Sequence, residues 1–137
     1  KTIKELKERL ILEEGLRLKP YRCTSNKLTI GVGRNIEERG ISADEADYML
    51  NNDIENISKE LYFCLPWLEN ANKTAALILI DMAFNMGVPR LLNFKKTLEY
   101  VNRGEYLKAS IEMLDSRWAA QVGKRAKDLS NLMADLV

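Results

Sequence analysis

Apolar residues first recur at Ile3, Leu6 and Leu10, a spacing of i, i+3, i+7 that gathers side chains on one face of a helix. The run IKELKERLILEE predicts a helix over about 2–14, stopped by Gly15, a residue suited to the position just past a helix C-terminus. At about 100° per residue, Glu14 returns to within about 20° of Ile3 and joins the apolar stripe, whereas Glu13 lies about 80° away. A carboxyl on that stripe leaves bulk water unless it faces a cleft, and partial burial favours its protonated form. Pro20 then keeps the chain extended, and Cys23, Thr24, Ser25, Asn26 and Lys27 form a polar turn. Leu28, Ile30 and Val32 alternate with Thr29, Gly31 and Gly33, which predicts a strand with one apolar face. Its other face is bare backbone plus one hydroxyl, and two glycines on one strand face mark close approach of a ligand or another chain.

Helical spacing resumes at Ala46, Leu50, Ile54, Ile57 and Leu61 behind a capping box of Ser42 and Glu45. This predicts a helix over about 43–63, ended before Pro66. Residues 73–86 are apolar nearly all round, the pattern of a helix in the middle of a bundle, with Gly87 and Pro89 as the stop. Three shorter helices follow at about 94–102, 105–115 and 124–136, punctuated by Gly104 and Gly123. The fold class expected is α+β, mostly helical, with a small sheet-bearing N-terminal lobe and a larger helical C-terminal lobe.

A chain of 137 residues, 46% hydrophobic and 30% charged, is one folded domain with room for two lobes. No run approaches about 18 uncharged apolar residues, so no stable membrane insertion is expected. The charged residues of 1–13 do not read as a signal peptide. The sequence has no histidine, which removes Ser-His and Cys-His nucleophilic sites and most zinc sites. Cys23 and Cys64 have no metal-ligand spacing; they either pair or stay free thiols. Charge is unevenly spread: residues 1–42 hold ten basic against six acidic side chains, 43–88 two against eight, and 89–127 nine against four. If the two basic blocks flank a cleft, its rims suit an anionic polymer; ordinary solvated faces explain them equally well. The acidic helix at 43–63 argues against a nucleic-acid partner.

The spacing Glu14, eight residues, Cys23, five residues, Thr29, followed by TIGVG, resembles the catalytic stretch of phage-type lysozymes, the endolysins of glycoside hydrolase family 24. AALILIDMAFNMG at 75–87, SRW at 116–118 and KRA at 124–126 extend the likeness over most of the chain. The resemblance implies a single lysozyme domain over 1–137, with a small lobe at about 15–60 and a helical lobe at about 1–14 plus 61–137. The long helix would join the lobes, and the first helix would return to the helical one.

In function it implies hydrolysis of the β-1,4 bond between N-acetylmuramic acid and N-acetylglucosamine, with peptidoglycan glycan strands as partner and neither metal nor cofactor. The protein would be a monomer, held in the host cytoplasm until the membrane is permeabilised. Glu14 becomes the general acid, and Thr29 the hydroxyl that holds the attacking water. Arg125 becomes the arginine that positions the acid; Gly33, Phe84 and Thr97 become contacts to the sugar chain. Most relatives carry a carboxylate where this chain has Cys23. Arg22 and Lys27 lie close enough in sequence to lower the pKa of that thiol, which would make it an activated thiolate acting on water. The alternative is a structural cysteine that leaves catalysis to Glu14 and Thr29. The position after Gly33, commonly His in the family, is Arg34 here, which leaves it an ion pair or a glycan contact. Two other readings stand beside hydrolysis: a lytic transglycosylase using Glu14 alone, and an inactive peptidoglycan-binding descendant.

Overall fold

The computed structural model describes residues 2–136; Lys1 and Val137, the ends of the expected domain, lie outside the described residues. The fold is α+β, with helices around a small antiparallel sheet of three strands. It divides into two compact units, Lys1–Tyr48 and Met49–Val137.

In the first unit, α1 (Ile3–Glu14) is capped by Thr2, whose hydroxyl accepts from the Glu5 N–H at 3.1 Å. It ends at Gly15, φ +80°, whose N–H donates to Ile11 O at 2.8 Å. It falls in the first unit, and Gly15 and Leu16 separate it from β1 (Arg17–Arg22). None of its residues is buried, and Ile3 is 75% exposed, so the predicted stripe covers no core.

β1 pairs antiparallel with β2 (Leu28–Gly31), matching Arg17 to Gly31, Tyr21 to Thr29 and Arg22 to Leu28 around an irregularity between Arg17 and Tyr21. The turn between them is the polar one read from sequence. Asn26 N–H donates to Cys23 O at 2.8 Å and Cys23 N–H to Lys27 O at 3.0 Å. Asn26 supplies the left-handed residue, φ +59°, a conformation its short polar side chain tolerates. β3 (Arg34–Asn35) pairs with β2, setting Asn35 opposite Thr29.

The expected face alternation of β2 is not what forms. Thr29 is the buried residue of the strand, while Leu28 and Ile30 are half-buried and Val32 is exposed. Gly31 and Gly33 take positive φ of +73° and +67°, so the strand stops at Gly31 and turns before the alternation is complete.

The short α2 (Ile36–Arg39) starts on Asn35, whose side chain accepts from Glu38 N–H at 3.1 Å. α3 (Ala43–Cys64) begins with the predicted capping box: Ser42 Oγ accepts from Glu45 N–H at 3.1 Å, and Glu45 Oε1 accepts from Ser42 N–H at 2.8 Å. The same carboxylate takes Arg34 Nη1 at 2.5 Å, so Arg34 makes the ion pair that the sequence left open to it. Arg34 first, and then the Ser42 N–H, hold the Glu45 pKa down to about 2. A carboxyl whose folded pKa lies below its unfolded value adds stability that is complete above the unfolded value, near 4.5, and vanishes as pH falls toward 2. Glu45→Gln keeps the capping acceptor and loses the charge. Its urea midpoint for loss of the first unit is therefore expected to lie below the parent's at pH 7, with the gap closing between pH 4.5 and pH 2. A gap that does not change with pH would refute the pair's contribution.

In the second unit, the rest of α3 leads through a 3-10 turn at Pro66–Asn70 into α4 (Lys73–Met86), capped by Asn72 Oδ1, which accepts from Thr74 and Ala75 N–H. α4 buries seven residues, among them Leu79 and Met82, as the all-round apolar pattern predicts. α5 (Val88–Leu91), α6 (Lys95–Asn102), α7 (Tyr106–Leu114), α8 (Arg117–Val122) and α9 (Lys124–Ala134) complete the bundle. α7 packs on α6 and α9, and α4 packs on α5 and α9. Trp118 donates its Nε1–H to Asn85 Oδ1 at 2.8 Å and meets Phe94 edge-on, which locks α8 to α4.

The buried apolar side chains of the described residues all lie between Leu61 and Met133. At about 1.5–3 kcal/mol for each large side chain buried, the hydrophobic stabilisation sits in the second unit. The first unit is held instead by its sheet, its caps and charged hydrogen bonds.

Candidate active site

The first unit carries Glu14, Cys23, Thr29 and Gly33; the second carries Phe84, Thr97 and Arg125. Glu14 is the last residue of α1, and its carboxyl lies against Gly33. A Cβ built on Gly33 would fall 2.8 Å from Glu14 Oε2 and 3.2 Å from its Cδ, so any side chain there would displace the acid. The close approach inferred from the glycines of the strand is thus met by the chain's own glutamate. Glu14 itself is exposed.

Cys23 and Thr29 come together at the mouth of the hairpin. Cys23 is a half-buried free thiol, and Cys64 is free as well. The pKa of the Cys23 thiol lies below its ordinary value. The Lys27 main-chain N–H is the largest cause, followed by the Thr29 hydroxyl and the Ser25 main-chain N–H, with desolvation opposing.

The sequence reading gave this task to the Arg22 and Lys27 side chains. Both are engaged elsewhere: Arg22 Nη1 donates to Glu37 Oε1 at 3.0 Å, and Lys27 Nζ pairs with Glu38 at 3.0 Å and Glu37 at 3.7 Å. The turn backbone replaces them. The Thr29 hydroxyl, 3% exposed, donates to Lys27 O at 2.8 Å and has a second acceptor in the sulfur once that is a thiolate.

In the helical unit Arg125 and Phe84 line one cavity of about 290 Å³, with Leu50, Ile54, Leu77, Ile80 and Asp81. Arg125 donates Nε and Nη2 to Asp81 Oδ1 at 3.0 and 2.6 Å, and Nη2 also to Asp81 O at 3.2 Å. Asp81 had no role in the sequence reading. Its signal was there, a carboxylate within the otherwise apolar run of 75–84. Thr97 is buried and lines a different cavity of about 360 Å³, beside Lys95, Lys96, Glu112 and Asp115. Phe84 and Thr97 thus line different cavities. Among the described residues no His/Cys/Asp/Glu group is gathered to hold a metal. No helix among them is long and apolar enough to cross a membrane.

The profile of the phage lysozyme family matches residues 12–133, a span that includes every residue named above as a candidate. The chain belongs to the phage lysozyme family. Two proteins of Dictyostelium discoideum, probable T4-type lysozymes 2 and 1, are 26% and 25% identical to it, with 90% of each chain covered in both comparisons. The pre-baseplate central spike protein Gp5 of Enterobacteria phage T4 is 25% identical over 92% of this chain, which spans 27% of that protein. Family membership suggests lysozyme-type peptidoglycan hydrolysis as the activity.

Proposed function

We propose that this chain hydrolyses the β-1,4 bond between N-acetylmuramic acid and N-acetylglucosamine in bacterial peptidoglycan. The observation that supports the reading is that one small unit carries both a carboxyl at a helix end, set against Gly33, and a thiol and a hydroxyl at the mouth of one hairpin. Glycoside hydrolysis needs an acid on the leaving oxygen and a second group that directs water to the anomeric carbon. Glu14 gives its proton to the glycosidic oxygen as the C1–O bond breaks. Water adds to C1, and the proton it loses goes to the Cys23 thiolate, with Thr29 as the hydroxyl that holds this water. By family analogy the configuration at C1 inverts.

By family resemblance Arg125 is assigned to positioning the acid, and Gly33, Phe84 and Thr97 to glycan contact; within the helical unit Arg125 is held by Asp81. The role in the organism is endolysin-like lysis after host membrane permeabilisation, acting as a monomer. The similar stretch of a phage spike protein supports a phage setting, and the Dictyostelium relatives show that the sequence type also occurs elsewhere.

The test is mass spectrometry of purified peptidoglycan digested by the protein, beside turbidity loss of chloroform-treated Gram-negative cells. Muropeptides with reducing ends are expected. Products ending in 1,6-anhydro sugars would replace hydrolysis by transglycosylation, and intact sacculi with bound protein would leave a binding module.

A further inference from the structure

One carboxylate closes the mouth of the hairpin that carries Cys23. Glu37 Oε1 accepts from the Leu28 main-chain N–H at 3.2 Å and from Arg22 Nη1 at 3.0 Å. Arg22 and Leu28 face each other in the sheet and are the last matched pair before the turn. Arg22 Nη1 also donates across the turn to Asn26 O at 3.3 Å. Glu37 is carried by α2, which hangs from Asn35, the residue paired with Thr29. A single short element thus registers both the thiol's turn and the hydroxyl's strand.

We propose that Glu37 is a positioning residue: by holding Leu28 and Arg22 it fixes the backbone of the turn that Cys23 and Lys27 close, and with it the setting of the Cys23 thiol, without itself touching substrate. The simplest competing description is a surface ion pair, since the Arg22 and Glu37 side chains are both well exposed and such pairs contribute little. The main-chain contact separates the two descriptions. A charged carboxylate on a backbone N–H is a stronger and more directional bond than an exposed ion pair, and here the N–H lies one residue from the donor Lys27. The charged groups around the turn are Arg22 from β1, Lys27 from the turn itself, and Glu37 and Glu38 from α2. Removing Glu37 deletes a negative charge and frees two cations, and by charge alone it would make Cys23 more reactive. Loss of aim does the opposite. The sign of the change therefore identifies the cause.

The catalytic consequence rests on the proposed use of Cys23; the geometric claim does not. Iodoacetamide alkylation of Cys23 is to be followed against pH in a Cys64→Ser background, for the parent, Glu37→Ala, Glu37→Gln and Arg22→Gln, together with kcat, KM and thermal melts. Glu37→Ala is expected to alkylate about tenfold more slowly at pH 7, its profile moved to higher pH. Its kcat is expected to fall with KM little changed. Glu37→Gln, whose amide oxygen still accepts from Leu28, should recover most of the loss, and Arg22→Gln should lose little. If Glu37→Ala does not fold, the ranking of the other two variants decides. Faster or unchanged alkylation in Glu37→Ala overturns the proposal, as does a lowered melting temperature with a parental alkylation profile, or Glu37→Gln slower than Arg22→Gln by the full tenfold. Slower alkylation with parental kcat upholds the positioning and overturns Cys23 as the group that directs water.

Discussion

Glu14→Gln is expected to lose about 10²–10⁴-fold in kcat, the range that a single general acid contributes, with KM and thermal stability close to the parent's. The amide is nearly isosteric with the carboxyl, so it keeps the contact with Gly33 and leaves the turn after Gly31 undisturbed. What it cannot do is hand a proton to a leaving oxygen. Glu14 is exposed at the C-terminal end of α1 and has no buried partner, which gives the substitution no route to inactivation through unfolding. Glu13 is the internal control: it pairs with Arg9 one helical turn back on the solvated side, and Glu13→Gln is expected to be neutral. Lysis by Glu14→Gln at even a tenth of the parental rate would remove Glu14 from the acid's role.

Helical period is a local property, so α3, α4, the Ser42–Glu45 box and the Gly15 stop all form where the sequence puts them. Four-residue helices such as α2 and α5 do not accumulate a period. α5 carries Pro89 in its first turn, where proline is compatible with a helix, while α4 ends at Met86 as Gly87 and Pro89 predict. The faces of β2 depend on what lies opposite, and two positive-φ glycines cut its alternation short. The donors to Cys23 are main-chain groups, and main-chain direction leaves no residue-type signal. Sequence proximity pointed to Arg22 and Lys27, yet α2 brings Glu37 and Glu38 back to both. Asp81 beside Arg125 joins residues 44 positions apart, beyond the reach of any local pattern.

The first unit shows why this matters for function. With no buried apolar side chain among its described residues, its geometry is set by hydrogen bonds to two carboxylates, Glu37 at the hairpin and Glu45 at the start of α3. Both have pKa values below the ordinary carboxylate range, Glu37 mainly through the Leu28 N–H and Glu45 mainly through Arg34, so both stay charged at neutral pH. A unit stabilised this way responds more to acid than the helical unit, whose cohesion is apolar burial. In acid, misalignment of the Cys23 turn is expected to precede unfolding of the bundle.

The second large effect is expected at Cys23. Cys23→Ala and Cys23→Ser should each lose about 10²-fold or more in kcat, because neither a methyl nor a hydroxyl takes a proton from water at neutral pH. Cys23→Asp should keep much of the activity, since the N–H groups of Lys27 and Ser25 and the Thr29 hydroxyl suit a short anionic acceptor. The pH profile gives the sign. A thiolate is the active form, so the parental rate climbs with pH as the thiol ionises, and the donors around it bring that climb below the pH of an ordinary cysteine. A carboxyl ionises near pH 4 by its intrinsic chemistry, so in Cys23→Asp the same limb is expected to move several pH units toward acid. Iodoacetamide should inactivate the parent, glycan fragments should protect it, and Cys23→Asp should be indifferent to the reagent. The deciding measurement is the alanine variant: if Cys23→Ala lyses cells at the parental rate, the thiol is structural and Thr29 alone is left to hold the water.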